Sequence, residues 1–183
     1  MQYKKAPAWL YAVSPALILL FFRLAVRTLP PAAEISLMSI AFILATFWYL
    51  RKKKTPPGRL SVLQSLLCTG TGAACGVLSW LCFGKPADYS PGIPAFLLLC
   101  VLGPATEEIV YRGLVYEQFL RFLPESGAIL LNSLLFGVAH GSAVQMVIAC
   151  ITGILFSLAR KKTGTVLASV LMHIVLNTMI FLL

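Results

Sequence analysis

Glu107 and Glu108 stand side by side in the apolar run LLLCVLGPATEEIVYRGLVYEQF, in a chain that has only six acidic residues among 183. Carboxylates in hydrocarbon are expensive and persist where they face a protein interior and do something there. Four further polar residues share such surroundings: Arg112, His140, His173 and Asn177, which include both histidines of the chain. Glu108 and Arg112 are i and i+4, so on a helix they face the same way and can pair, which lowers the cost of burying each charge. Glu107 is turned about 100° from them and has no partner on its own helix. His173 and Asn177 again stand i and i+4, one above the other. A carboxylate, two histidines and an amide are the groups that activate a water and stabilise an oxyanion.

These residues must be held by membrane helices. The chain is 59% hydrophobic and 11% charged, with a mean hydropathy of +0.88, where soluble domains carry about 25% charged residues. Seven apolar runs, about 8–27, 33–50, 60–83, 93–120, 126–141, 143–159 and 164–183, approach the roughly 20 residues a span requires. The expected fold is all-α, a polytopic membrane helix bundle of about seven transmembrane helices forming a single domain over residues 1–183. The first run follows Lys4 and Lys5 and reads as an uncleaved span rather than a signal peptide. Gly141 suits a helix end, and Ser142 with Gln145 suits a capping box for the sixth span.

The net charge of +9 does not imply nucleic acid, because the basic residues lie between the apolar runs as topology signals and lipid contacts do. With the N-terminus cytoplasmic, Lys4, Lys5, Arg51, Lys52, Lys53, Lys54, Arg59, Arg121, Arg160, Lys161 and Lys162 lie inside and Arg23, Arg27 and Lys85 outside. The orientation is therefore N-in, C-out. At about 1.5 Å per residue from the cytoplasmic ends, Glu107 lies about 20 Å deep, His140 about 21 Å and His173 about 14 Å, so the three can share one chamber. Gly103-Pro104 precedes the glutamates; the proline frees a carbonyl, kinks the span and can open a wet pocket.

Each feature also has an ordinary reading. A membrane histidine can simply link helices, a Glu–Arg pair can be structural, His140 can be wet at a surface, and Gly113 and Phe136 can be packing residues. Cys68, Cys75 and Cys82, spaced by seven, read as a small-residue stripe beside the Gly72–Gly76 GxxxG pattern rather than as redox chemistry. With five cysteines and no CxxC pair, a disulfide framework or a cysteine zinc site is not expected.

The three motifs Glu107-Glu108-x-x-x-Arg112, Phe136-x-x-x-His140 and His173-x-x-x-Asn177, in this order over 95–183, resemble the CPBP family of intramembrane proteases. That family includes the type II CAAX prenyl endopeptidases and the bacterial Abi or bacteriocin-processing proteins. The resemblance implies that Glu107 is the general base and that His140 helps to hold the attacking water. It makes His173 and Asn177 the oxyanion groups and Glu108 with Arg112 a supporting pair. It also implies a chamber opening toward the cytoplasm and lipid.

A cofactor is left open between none and one zinc ion, held by Glu107, His140 and His173 with a fourth position for water. The metal-free form is preferred, because an apolar pocket suits a carboxylate acting as a base. The expected partners are the lipid bilayer and a membrane-associated protein or peptide, either lipidated or bearing a C-terminal sorting helix, and the expected location is a prokaryotic inner membrane. The competing classes are a proton- or ion-coupled transporter built on the buried Glu, His and Arg, and a non-enzymatic scaffold or immunity protein.

Overall fold

The computed structural model describes residues 8–26, 28–53, 58–84 and 92–183. Among them seven helical rods alternate in direction. They are α1 (Ala8–Val26), α2 (Pro31–Lys52), α3 (Val62–Phe83), α4 (Ile93–Phe119), α5 (Glu125–Val138), α6 (Ala143–Thr163) and α7 (Leu167–Leu182). Of the charges used to orient the chain, Lys4, Lys5, Arg27, Lys54 and Lys85 lie outside the described residues.

Four helices are long and apolar enough to cross a membrane, Ala32–Lys52, Val62–Phe83, Ile93–Phe119 and Ala143–Thr163; α1, α5 and α7 are apolar and shorter. Their outer faces carry large side chains that only lipid would cover, such as Ile18, Ile43 and Leu63. The centre is correspondingly polar: Thr106, Glu108, Arg112, Asn132, Ser157 and Ser169 are sealed from solvent.

The helix ends follow local chemistry. Pro31 opens α2, where a missing N–H costs nothing. Ser61 and Gln64 form a full capping box on α3. At α6 only half the expected box forms: Ser142 Oγ accepts from the Gln145 N–H at 3.2 Å. Gly141 is not left-handed as expected of a helix-ending glycine, and Ala139 caps α5 instead. The basic Arg160-Lys161-Lys162 is helical rather than a turn, because three cations suit the negative end of the α6 dipole; Gly164, at φ 70°, then ends that helix.

α3 packs closely on α7 through the expected glycine pair. A Cβ on Gly72 would stand 2.5 Å from the Met172 carbonyl oxygen, and one on Gly76 would stand 2.7 Å from that of Leu176. Cys68 is buried in this contact and Cys75 half-buried, whereas Cys82 is exposed; all three are free thiols. α4 is the central rod, and every residue from Gly103 to Tyr116 is buried.

Candidate active site

Glu107 and Glu108 sit on a single α-helical stretch, Gly103–Glu108, bracketed by two π-helical segments, Leu97–Leu102 and Ile109–Val115. π turns inside α-helices are frequent at functional sites. The first has a cause in the sequence. In a regular α-helix the Pro104 ring would collide with the Cys100 carbonyl. The wider turn avoids this, and the Gly103 N–H reaches back to the Leu98 carbonyl. A Cβ at Gly103 would stand 2.8 Å from that same oxygen, so the turn requires glycine. In this i→i−5 frame residue 104 should donate to Leu99, and proline has no N–H to give. Asn177 Nδ2 supplies the missing bond, donating to the Leu99 carbonyl at 2.8 Å. The carbonyl expected to be freed by proline is thus found, and Asn177 of α7 is what satisfies it.

Glu108 is fully buried, and its Oε1 accepts from Arg112 Nη1 and from His173 Nδ1, each at 3.0 Å. A carboxylate only accepts, so His173 Nδ1 carries the hydrogen and Nε2 of the neutral ring is left as an acceptor. Arg112 also donates Nη2 to the Gly153 carbonyl at 3.0 Å, tying α4 to α6. The expected Glu108–Arg112 pair is therefore present, and it also fixes the orientation of His173.

His173 Nε2 points to the other glutamate and stands 4.0 Å from Glu107 Oε2. Glu107, without a partner on its own helix as expected, finds one on another: its Oε1 is ion-paired with Arg23 Nη1 of α1, a residue read from sequence as an outer-face charge. Neither hydropathy nor a local motif links residues 23 and 107; only the packing of α1 on α4 does. His140 donates Nδ1–H to the Phe136 carbonyl at 2.8 Å, which leaves its Nε2 available.

Phe136 does more than ordinary packing. Its ring lies 4.8 Å from that of His140, 5.8 Å from His173 and 5.1 Å from Tyr111, and the Arg112 guanidinium stacks on it at 4.3 Å. Phe156 of α6 closes the other side of His173 at 5.1 Å. The two phenylalanines hold both histidines and the arginine, and the i, i+4 spacing of Phe136 and His140 was the available signal for the first of them.

Glu107, His140, His173 and Asn177 line one cavity of about 960 Å³, together with Arg23, Gly141 and Ser142. The α5–α6 turn at 139–142 forms part of its floor. α5 is about 21 Å long, against about 33 Å for α3 and 40 Å for α4, so the turn stops well short of the rim. Irregular backbone at membrane depth is tolerated where it lines a wet cavity. The cavity lies among the C-terminal ends of α1, α3 and α7 and the N-terminal ends of α2, α4 and α6. Arg51, Lys52, Lys53, Arg59, Arg160, Lys161 and Lys162 lie toward the other end, so the cavity and the charges expected to be cytoplasmic stand at opposite ends of the bundle.

Among the described residues, no group of three or more His, Cys, Asp or Glu side chains is arranged to hold a metal ion. Nδ1 of each histidine is engaged with an oxygen and Glu107 Oε1 with Arg23. A histidine that binds a metal through Nε2 commonly has its Nδ1 engaged in this way, so Nε2 of His140 and His173 with Oε2 of Glu107 are the atoms that would hold a zinc ion.

The family model for type II CAAX prenyl endopeptidase, Rce1-like, matches residues 89–179, a stretch that holds all three motifs. The chain belongs to this family. Its general class is therefore that of the CAAX-type intramembrane endopeptidases, which act on membrane-associated proteins. No curated protein and no solved structure matches the chain.

Proposed function

We propose that the chain is a glutamate-dependent intramembrane endopeptidase that hydrolyses a peptide bond of a membrane-associated protein or peptide, in a prokaryotic cell membrane. The observation that carries this reading is the 4.0 Å gap between Glu107 Oε2 and His173 Nε2, facing a cavity of about 960 Å³. That separation is too long for a direct hydrogen bond and suits one bridging water.

Arg23 holds Glu107 Oε1 and leaves Oε2 as the reacting oxygen. Glu107 takes a proton from the water as its oxygen adds to the scissile carbonyl carbon. The carbonyl π pair moves onto oxygen, and the oxyanion is met by a donor in the chamber. In the tautomer that Glu108 fixes, His173 Nε2 has no hydrogen to give the oxyanion and instead accepts a hydrogen bond from the attacking water. Asn177 serves as a donor with the N–H not given to Leu99. His140 Nε2 helps to hold the water. Collapse of the intermediate breaks the C–N bond, and the proton held by Glu107 passes to the leaving nitrogen. The products are a new carboxylate and a new amine.

The test is a comparison of membrane-protein termini by mass spectrometry, in cells making wild type or Glu107→Gln at matched levels. Termini that appear only with wild type support the reading. Identical termini, with both proteins stably inserted, turn it toward transport or scaffolding. Metal analysis of the purified wild type bears separately on zinc: a stoichiometric ion lost in Glu107→Gln would replace the metal-free form.

A further inference from the structure

We propose that the hollow between the C-terminal ends of α2 and α4 is a binding site for a phosphate group. Lys52, Lys53 and Arg121 supply its positive charge, and the Tyr49 hydroxyl supplies a neutral donor. The site shares no lining residue with the cavity that holds Glu107, and it does not depend on the proteolytic reading.

The first observation is an orphaned hydroxyl. Tyr49 lines the hollow and is 6% exposed, and its hydroxyl is buried with no hydrogen-bond partner among the described residues. A tyrosine near a membrane surface ordinarily keeps its hydroxyl wet, and a buried one finds a partner. The ring is held in place by α4. A Cβ at Gly113 would stand 2.8 Å from Tyr49 Cδ2, so the ring lies directly against the α4 backbone. Gly113 thus makes the space that the ring fills.

The second observation is charge. Lys52, Lys53 and Arg121 line the same hollow, and no carboxylate of the described residues pairs with any of them. Glu117, the acidic residue of the lining, is ion-paired with Arg160 and so does not neutralise them. Three like charges around one hollow repel one another unless an anion sits among them. Lysine, arginine and a phenolic O–H are together suited to the oxygens of a phosphate.

The third observation is size and level. The hollow measures about 60 Å³, and one water needs about 10–15 Å³ of such space. It therefore has room for a single tetrahedral anion, with the remainder of a larger molecule left outside. Phe47 and Trp48 on the adjoining turn face outward, with the Arg51 guanidinium 5.1 Å and Lys52 Nζ 4.8 Å from their ring centres. Exposed aromatic rings topped by cations mark the level of the lipid headgroups. Basic pockets between membrane helices at that level take phospholipid headgroups; free phosphate offers the same chemistry. The general attraction of basic loops to a membrane needs neither a hollow nor a buried hydroxyl.

The test uses the delipidated full chain in detergent. Phosphatidylglycerol binding is read by native mass spectrometry and by the rise in melting temperature, and inorganic phosphate is titrated in parallel at matched ionic strength. The expected result is saturable binding that falls about tenfold in Lys52→Gln/Lys53→Gln. It should be unchanged in Arg51→Gln/Arg59→Gln, which removes the same charge outside the hollow. Tyr49→Phe separates ligand from structure. Without ligand it should melt no lower than wild type, because it deletes an unsatisfied buried hydroxyl, yet it should bind several-fold more weakly. Binding of phosphatidylglycerol alone makes the ligand a lipid headgroup; binding of inorganic phosphate makes it the free anion. The proposal is overturned if neither binds saturably, if the two double variants lose affinity equally, or if Tyr49→Phe binds as wild type does.

Discussion

Glu108 and Arg112 are both sealed from solvent, and each is costly there without the other. Arg23 and Glu107 form a different kind of pair: the Arg23 side chain is 41% exposed and hydration can replace its partner. The two arginines should therefore separate stability from chemistry. Arg112→Ala strands a buried carboxylate and should cost about 3–5 kcal/mol, read as a large fall in melting temperature or a failure to accumulate. Arg23→Gln should melt near wild type yet turn over more slowly, because Glu107 Oε1 loses its anchor; Arg23→Lys should recover part of the rate. An Arg23→Gln that unfolds, or one with unaltered kinetics, would remove Arg23 from the positioning of Glu107. The Glu108–Arg112 pair was legible in the sequence because it is local to one helix. Arg23–Glu107 was not, since it depends on which helix packs beside α4.

The seven apolar runs were legible because lipid demands long unbroken hydrophobic stretches, and the observed helices depart from them by a few residues at each end. The largest departure is in α6, where Arg160–Thr163 continue the helix: a charged segment looks like a loop until a partner such as Glu117 is found for it. The π turns of α4 were only half legible. Pro104 announced a disturbed helix, but the wider turn that resolves it depends on Gly103 and on Asn177 reaching across from α7. The GxxxG pattern on α3 was a weak sign that the packing against α7 bears out. Gly70 and Gly72 make a controlled pair for it. In a helix without neighbours, Gly→Ala gains about 0.8–1 kcal/mol. Nothing lies within 4 Å of a Cβ at Gly70, whereas at Gly72 it would press on the Met172 backbone. Gly70→Ala should therefore raise the melting temperature, and Gly72→Ala should lower it through an overpacking cost of about 1–3 kcal/mol. Equal shifts for the two would mean that α3 and α7 are not closely packed at Gly72.

Across the whole bundle, helices too short to reach the rim and helices long enough to form it together make a funnel with a polar floor. α5 stops early, which sets His140 and the turn after it inside the bundle, while α3 and α4 continue upward as walls. Depths counted from the sequence placed Glu107, His140 and His173 within reach of one another, and the structure puts all three on one cavity. Which end of the bundle that cavity lies toward was not legible, because motif spacing along single helices says nothing about how far each helix reaches. The central claim is that Glu107 acts as the base in peptide hydrolysis. The most direct measurement is turnover of a substrate identified from the new termini, by purified wild type and Glu107→Gln in liposomes, with melting curves to establish that both are folded. The account predicts a loss of about 10²–10⁴-fold with an unchanged melting temperature. A folded Glu107→Gln that turns over within a few-fold of wild type would contradict it.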